Sequence, residues 1–165
     1  MEIAVKNCQR SIKINPGSIT RVVKSAIEHL ASGKRIRGRN LACGLSFDPS
    51  KAVVSVLLVG DRRMREMNRT YRGLDRTTDV LSFSQLEGPL LQHESAELGD
   101  IVISPAQAKQ QARERGTTLN QELALLLIHG LLHLIGYDHQ KNSYEAKKMR
   151  EKETELIHAI QKVER

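Results

Sequence analysis

The sequence contains no tryptophan, and aromatic residues make up only 3% of its 165 positions. A core organised around stacked rings is thereby excluded, and Leu, Ile, Val and Ala must supply the packing. Cysteine is equally scarce. Cys8 and Cys43 form no CxxC pair, which excludes a disulfide scaffold and a thiolate zinc site and leaves two reduced thiols, as in a cytosolic protein. No apolar run reaches the roughly 18 to 20 residues that a membrane span needs. The longest, residues 123–135, is interrupted by two histidines and a glycine and reads as a buried helix. The opening "MEIAVKNCQ" alternates like a strand and has neither an apolar signal core nor a transit-peptide composition, so a cytoplasmic location without membrane attachment is expected.

What is present is enough chain for one domain. A length of 165 residues buries about two thirds of the unfolded surface without disulfides or structural metal, so any metal here is expected to serve function rather than folding. Lys and Arg outnumber Asp and Glu by 26 to 19, a formal charge of +7. That balance favours anionic partners, nucleic acid first among them.

Periodicity divides the chain into strands and helices. After the first strand, Pro16 and Gly17 turn the chain and Ser18 is placed to cap a helix over 19–30. "GKRIRGRN" then breaks the pattern, and residues 33–50 read as a long exposed basic loop. "AVVSVLLVG" has the β-branched content of a central strand. Asp61 is placed to cap the helix "RRMREMNRTYR", with Met64, Met67 and Tyr71 facing the core and Arg62, Arg63, Arg65, Arg69 and Arg72 on other faces. "DVLSFS" is a third strand, 85–98 a loop, and "LGDIVIS" a fourth strand. Ser104, Pro105 and Gly116 punctuate the next helix. A main helix over 119–135 and a last one over 143–162, with Met149, Leu156 and Ile160 inward, complete the chain. The expected fold is α+β: a single domain over 1–165, with a mixed four-stranded sheet packed against about five α-helices and a metal site at the end of the central helix.

That site is spelled by "HGLLHLIGYDH". Residues four apart share a helix face, so His129 and His133 can aim their imidazoles at one point. Gly136 is suited to a left-handed helix end, after which the chain can return His139 to the same point. Three imidazoles suit Zn²⁺ with a fourth position open. With 6 histidines in 165 residues, the two partners of a given histidine fall at these offsets by chance roughly once in a thousand. His29, His93 and His158 lack such spacing. The pattern matches the zinc-protease signature H-E-x-x-H-x-x-G-x-x-H except that Gly130 replaces the catalytic glutamate. Glycine cannot move a proton, which disfavours peptide hydrolysis. It also costs a helix about 1 kcal/mol relative to Ala, so something is expected to approach closely there. Asp138, beside His139, is a candidate either to orient a ligating imidazole or merely to cap the next element.

Beside this motif, "MNRTYRGLDRTTDVLSF" followed by "LGDIVIS" becomes legible. The three blocks together resemble the YbeY family of metal-dependent endoribonucleases of ribosomal RNA maturation, over about residues 53–156. The resemblance implies that His129, His133 and His139 ligate zinc. It further implies that Arg72 lines the cleft, with Arg72 and His129 as the catalytic residues. A guanidinium there would grip phosphate oxygens and stabilise charge building on phosphorus. Two positions depart from the family pattern: Thr77 and Ser84 stand where proline is usual. The basic loop is also longer than usual for the family.

The function expected is a zinc-dependent, single-strand-preferring endoribonuclease acting in ribosomal RNA maturation and ribosome quality control. Its partners would be ribosomal RNA precursors and the small ribosomal subunit or its assembly factors. Two rivals make different predictions. A hydrolase of peptides or small esters would work without Arg72. A non-catalytic ribosome-assembly or RNA-binding module would hold zinc in a closed shell, with a fourth ligand such as Asp138.

Overall fold

The run of β-branched residues after Lys51 forms β2 (Ala52–Leu58), flanked on one side by β1 (Glu2–Asn7) and on the other by β4 (Ala96–Ile103), with β3 (Val80–Ser84) outermost. β1, β2 and β4 are parallel, and β3 runs antiparallel to β4. The order β1-β2-β4-β3 is therefore a mixed sheet with β3 outermost among the described strands. This architecture comes from a computed structural model, which describes residues 1–32, 48–86, 96–140 and 142–163. Among them are five α-helices: α1 (Pro16–Ser32), α2 (Asp61–Arg72), α3 (Pro105–Arg115), α4 (Leu119–Leu134) and α5 (Ser143–Val163). None is long and apolar enough to cross a membrane. The expected fold class is borne out.

The two sheet faces are covered unequally. On one, α4 lies across β3 and β4 with α1, α3 and α5 around it, and Val54, Val56, Leu58, Ile101 and Ile103 meet Leu127, Ile128 and Leu131 in the main core. Each such fully buried side chain contributes about 1.5–3 kcal/mol. Alternate residues of the same strands, Leu81 and Val102, face the other way and meet Val59 and Met64 of the α2 layer in a smaller cluster. Period-two alternation in the strands thus feeds both faces.

Several expectations need correcting. Ser18 is not the cap of α1: the helix begins at Pro16, the Asn15 side chain accepts the Gly17 N–H at 2.9 Å, and the Ser18 hydroxyl donates to the Asn15 carbonyl. Asp61 is not a cap either. It is already helical, behind Gly60, and its carboxylate accepts from the Ser104 hydroxyl at 2.6 Å and the Gln107 amide at 3.0 Å, tying α2 to the start of α3. Tyr71 does not face the core; it is 64% exposed. β4 starts before Leu98, since Ala96 and Glu97 already pair with Ala52 and Val53. Of the expected basic loop, residues 33–47 lie outside the described residues, and Pro49–Lys51 forms a 3₁₀ turn capped by Asp48. His93 and Cys43 also lie outside them, while Cys8 is free and exposed.

Candidate metal centre

α4 owes its position to both of its ends and to one missing side chain. At its start, Thr118 and Gln121 form a reciprocal capping box, each side chain taking the other's backbone N–H, which satisfies donors that the helix cannot. At its end, the Gly136 N–H reaches the His133 carbonyl at 3.1 Å and the Tyr137 N–H reaches Leu132 at 3.0 Å. Gly136 has φ +95°, so this is a Schellman closure around a glycine in the left-handed region. The Ser84 hydroxyl donates to the Leu134 carbonyl at 2.8 Å, so one of the two departures from proline ties the end of β3 to the end of α4. The other, Thr77, has a buried hydroxyl with no partner among the described residues.

Gly130 answers the question raised by its place in the motif. A Cβ built on it would lie 2.8 Å from Ile101 Cγ2 and 3.2 Å from Ser82 Oγ. The close approach is by the sheet itself. Without a side chain at 130, α4 sits low enough on β3 and β4 to bring its histidines to the sheet edge.

There the three predicted ligands converge. One ligand atom from each of His129, His133 and His139 lies within 4.8 Å of the others. The Nε2 atoms of His129 and His133 are 3.1 Å apart, against the roughly 3.3 Å that follows from two metal–nitrogen bonds of about 2.0–2.1 Å at a tetrahedral angle. His129 Nδ1 is 2.6 Å from Glu153 Oε1 of α5. A carboxylate there accepts a hydrogen bond from Nδ1–H, which keeps the proton on Nδ1 and leaves Nε2 with a free lone pair toward the cluster. Burial, followed by the neighbouring His129 and His139, lowers the His133 pKa to about 4. It is thus the neutral imidazole a metal requires. An all-imidazole donor set of this shape fits Zn²⁺ or a similar borderline divalent ion.

The cluster forms one wall of a cleft of about 370 Å³, also lined by Arg72, Thr78, Asp79, Val80, Ser82, Asp138 and Gln140. Arg72 is the last residue of α2, from the opposite face of the sheet, and it reaches the cleft past β3, the outermost of the described strands. It is exposed and has no ion pair among the described residues. Asp138 lines the cleft but is not in the convergent cluster; its Oδ1 accepts the Gln140 N–H at 2.8 Å, forming a local turn. Asp79 is likewise engaged, by Val80, Thr78 and Gln111. Of the remaining histidines, His29 lies 3.1 Å from Glu155 and His158 is an exposed residue of α5. Glu153 is the residue that the sequence reading missed. Its signal was its register: Met149, Glu153, Leu156 and Ile160 recur at helical spacing, and a carboxylate on an inward stripe requires a partner.

Comparison with known proteins places this cleft in context. A family model described as endoribonuclease YbeY matches residues 4–161, extending the resemblance into β1 and α1. A Thermodesulfovibrio yellowstonii protein named endoribonuclease YbeY is 35% identical over 160 residues, 95% of this chain and 96% of the relative. One of the same name from Desulfitobacterium hafniense is 44% identical over 124 residues, 72% of this chain and 78% of that one. The solution structure of TM1509 from Thermotoga maritima superposes with a TM-score of 0.57 at 26% identity, covering 96% of this chain and 88% of that one. Sequence over nearly the whole length and fold agree, and the chain belongs to the YbeY family of endoribonucleases.

Proposed function

We propose that residues 1–165 form one zinc-dependent endoribonuclease domain that prefers single-stranded RNA and acts in the cytoplasm on ribosomal RNA precursors. In this reading it serves rRNA maturation and ribosome quality control in contact with the small ribosomal subunit or its assembly factors. The observation that carries the reading is that Arg72, from α2, lines the same cleft as His129, His133 and His139. A phosphodiester is the substrate class that uses both halves: an anion for the guanidinium and a polarisable oxygen for the metal.

Zinc, when bound by the three histidines, supplies Lewis-acid polarisation of a phosphoryl oxygen. The chain's own residues do the rest. The planar fork of Arg72 binds two phosphate oxygens and strengthens its hold as negative charge accumulates on them. Having no ion pair among the described residues, it gives up no internal partner to do so. His129 is fixed in one tautomer by Glu153, which holds the proton at Nδ1. Its roles as ligand and catalytic residue are then one role, since the Nε2 lone pair faces the cluster and would hold the metal that polarises the phosphate. Ser82 also lines the cleft, and its hydroxyl can donate to the RNA backbone.

The test is cleavage of a structured ribosomal RNA fragment by purified protein, with chelation and metal re-addition and with His133→Ala and Arg72→Ala. Cleavage that stops on chelation, returns with zinc and is lost in both variants is expected. Cleavage that survives chelation and His133→Ala would point to a contaminating nuclease and sink the proposal.

A further inference from the structure

Tyr71 sits where the apolar stripe of α2 continues from Met64 and Met67, yet the residue is 64% exposed. The cause is topological. α2 ends against β3, the outermost of the described strands, where one aromatic side chain of that strand meets Tyr71. That side chain is Phe83, which meets Tyr71 edge-on with ring centroids 4.9 Å apart and planes at 67°. Leu74, just beyond the helix, is 42% exposed as well. Large exposed apolar groups are few among the described residues, so two of them within three positions of the chain mark this spot.

Its surroundings are cationic and continuous with the cleft. Arg62 is paired with Glu66, and Arg65 holds Asp75 through two bonds of 2.9 and 2.8 Å. Arg63, Arg69, Arg72 and Arg76 have no ion pair among the described residues. The residue after Tyr71 is Arg72 and the residue before Phe83 is Ser82, and both line the metal cleft. An exposed ring braced from below, flanked by unpaired arginines and one residue from the phosphate-binding guanidinium, has the make-up of a single-strand RNA surface. Cations follow the backbone there while an aromatic face receives a base.

We propose that the Tyr71–Phe83 pair is a base-stacking platform, on which a nucleobase next to the scissile phosphate lies flat against Tyr71 once the strand has crossed the β3 edge past Arg72. The proposal rests on the endoribonuclease reading and adds to it a reason for single-strand preference: a base paired in a duplex cannot turn out onto the ring. Tyr71 is a positioning residue, acting on substrate binding and not on the reacting atoms. Phe83 sets the tilt of the ring.

Two measurements test this. Tyr71→Ala should raise KM for a short single-stranded RNA about five- to hundredfold with kcat little changed, and Tyr71→Phe should rescue it. An abasic nucleotide beside the cleavage position should reproduce the loss in the parent protein and add nothing further in Tyr71→Ala. Because the sequence has no tryptophan, Tyr71→Trp introduces a single indole, whose fluorescence should be quenched by single-stranded RNA and not by a duplex, without any turnover. An unchanged KM in Tyr71→Ala, or losses from Tyr71→Ala and the abasic site that simply multiply, would overturn the platform. If the parent protein cleaves no RNA at all, the activity reading fails separately, and the indole quench still decides whether RNA stacks here.

Discussion

α4 and α2 approach the same cleft from opposite faces of one sheet, and they are built on opposite plans. α4 is apolar nearly throughout, set in the main core, and presents His129 and, in its last turn, His133. α2 is short and crowded with arginine, held by a small cluster around Met64, and presents Arg72 at its last residue. The buried helix fixes positions to within the tolerance of a metal site, because the close packing of its apolar residues holds the backbone that carries its histidines. The exposed helix brings unpaired charge, which must stay in water until an anionic ligand takes it over. A cleft between them has a rigid wall and a cationic wall.

The largest way to break the comparison is to remove a ligand from the rigid wall. His133→Ala leaves two imidazoles for one ion, and the protein is expected to emerge from dialysis without metal while keeping its fold, checked by metal content and circular dichroism. Glu153→Gln leaves the ligand set intact but removes the carboxylate that orients His129; metal affinity should fall about 10- to 100-fold, as read by competition with a chromophoric chelator. Gly130→Ala pushes α4 away from Ile101 and Ser82. Overpacking of this kind costs about 1–3 kcal/mol, offset by about 1 kcal/mol of helix propensity, so a lowered midpoint of urea unfolding together with weaker metal binding is expected. The effect that needs no substitution is on pH dependence. The folded state holds the His133 pKa near 4 against its ordinary value of 6.5. Between those values the unfolded chain binds more protons, so metal-free stability is full above about pH 6.5 and is lost as pH falls toward 4. Thermal melts of metal-free protein at pH 7 and pH 4.5 should differ in that sense, and by less in His133→Asn.

The same contrast explains what could be read from sequence. The rigid wall was legible because it is local: helical spacing, a glycine stop and a returning loop place His129, His133 and His139 without knowledge of the sheet. Gly130 was legible as a close approach, but its neighbour was not, since naming Ile101 and Ser82 requires knowing that β3 and β4 are adjacent. Glu153 belongs to another helix, and only the inward stripe of α5 hinted at it. On the cationic side, Arg72 was found through the motif, whereas Tyr71 was misplaced in the core because periodicity says which face of a helix turns inward and not where the sheet beneath it stops. Asp61 failed as a cap for a similar reason: its partners, Ser104 and Gln107, stand more than forty residues away. The packing of distant elements is the missing information in each case, and no local pattern encodes it.

The central claim is that the two walls act on one phosphate while only one of them holds the metal. Arg72→Ala separates them, with zinc content and RNA cleavage measured on the same preparation. One zinc per chain, bound as tightly as in the parent, together with a fall in kcat of about a hundredfold or more, is the expected result. Cleavage at the parental rate, or loss of zinc along with activity, would contradict it.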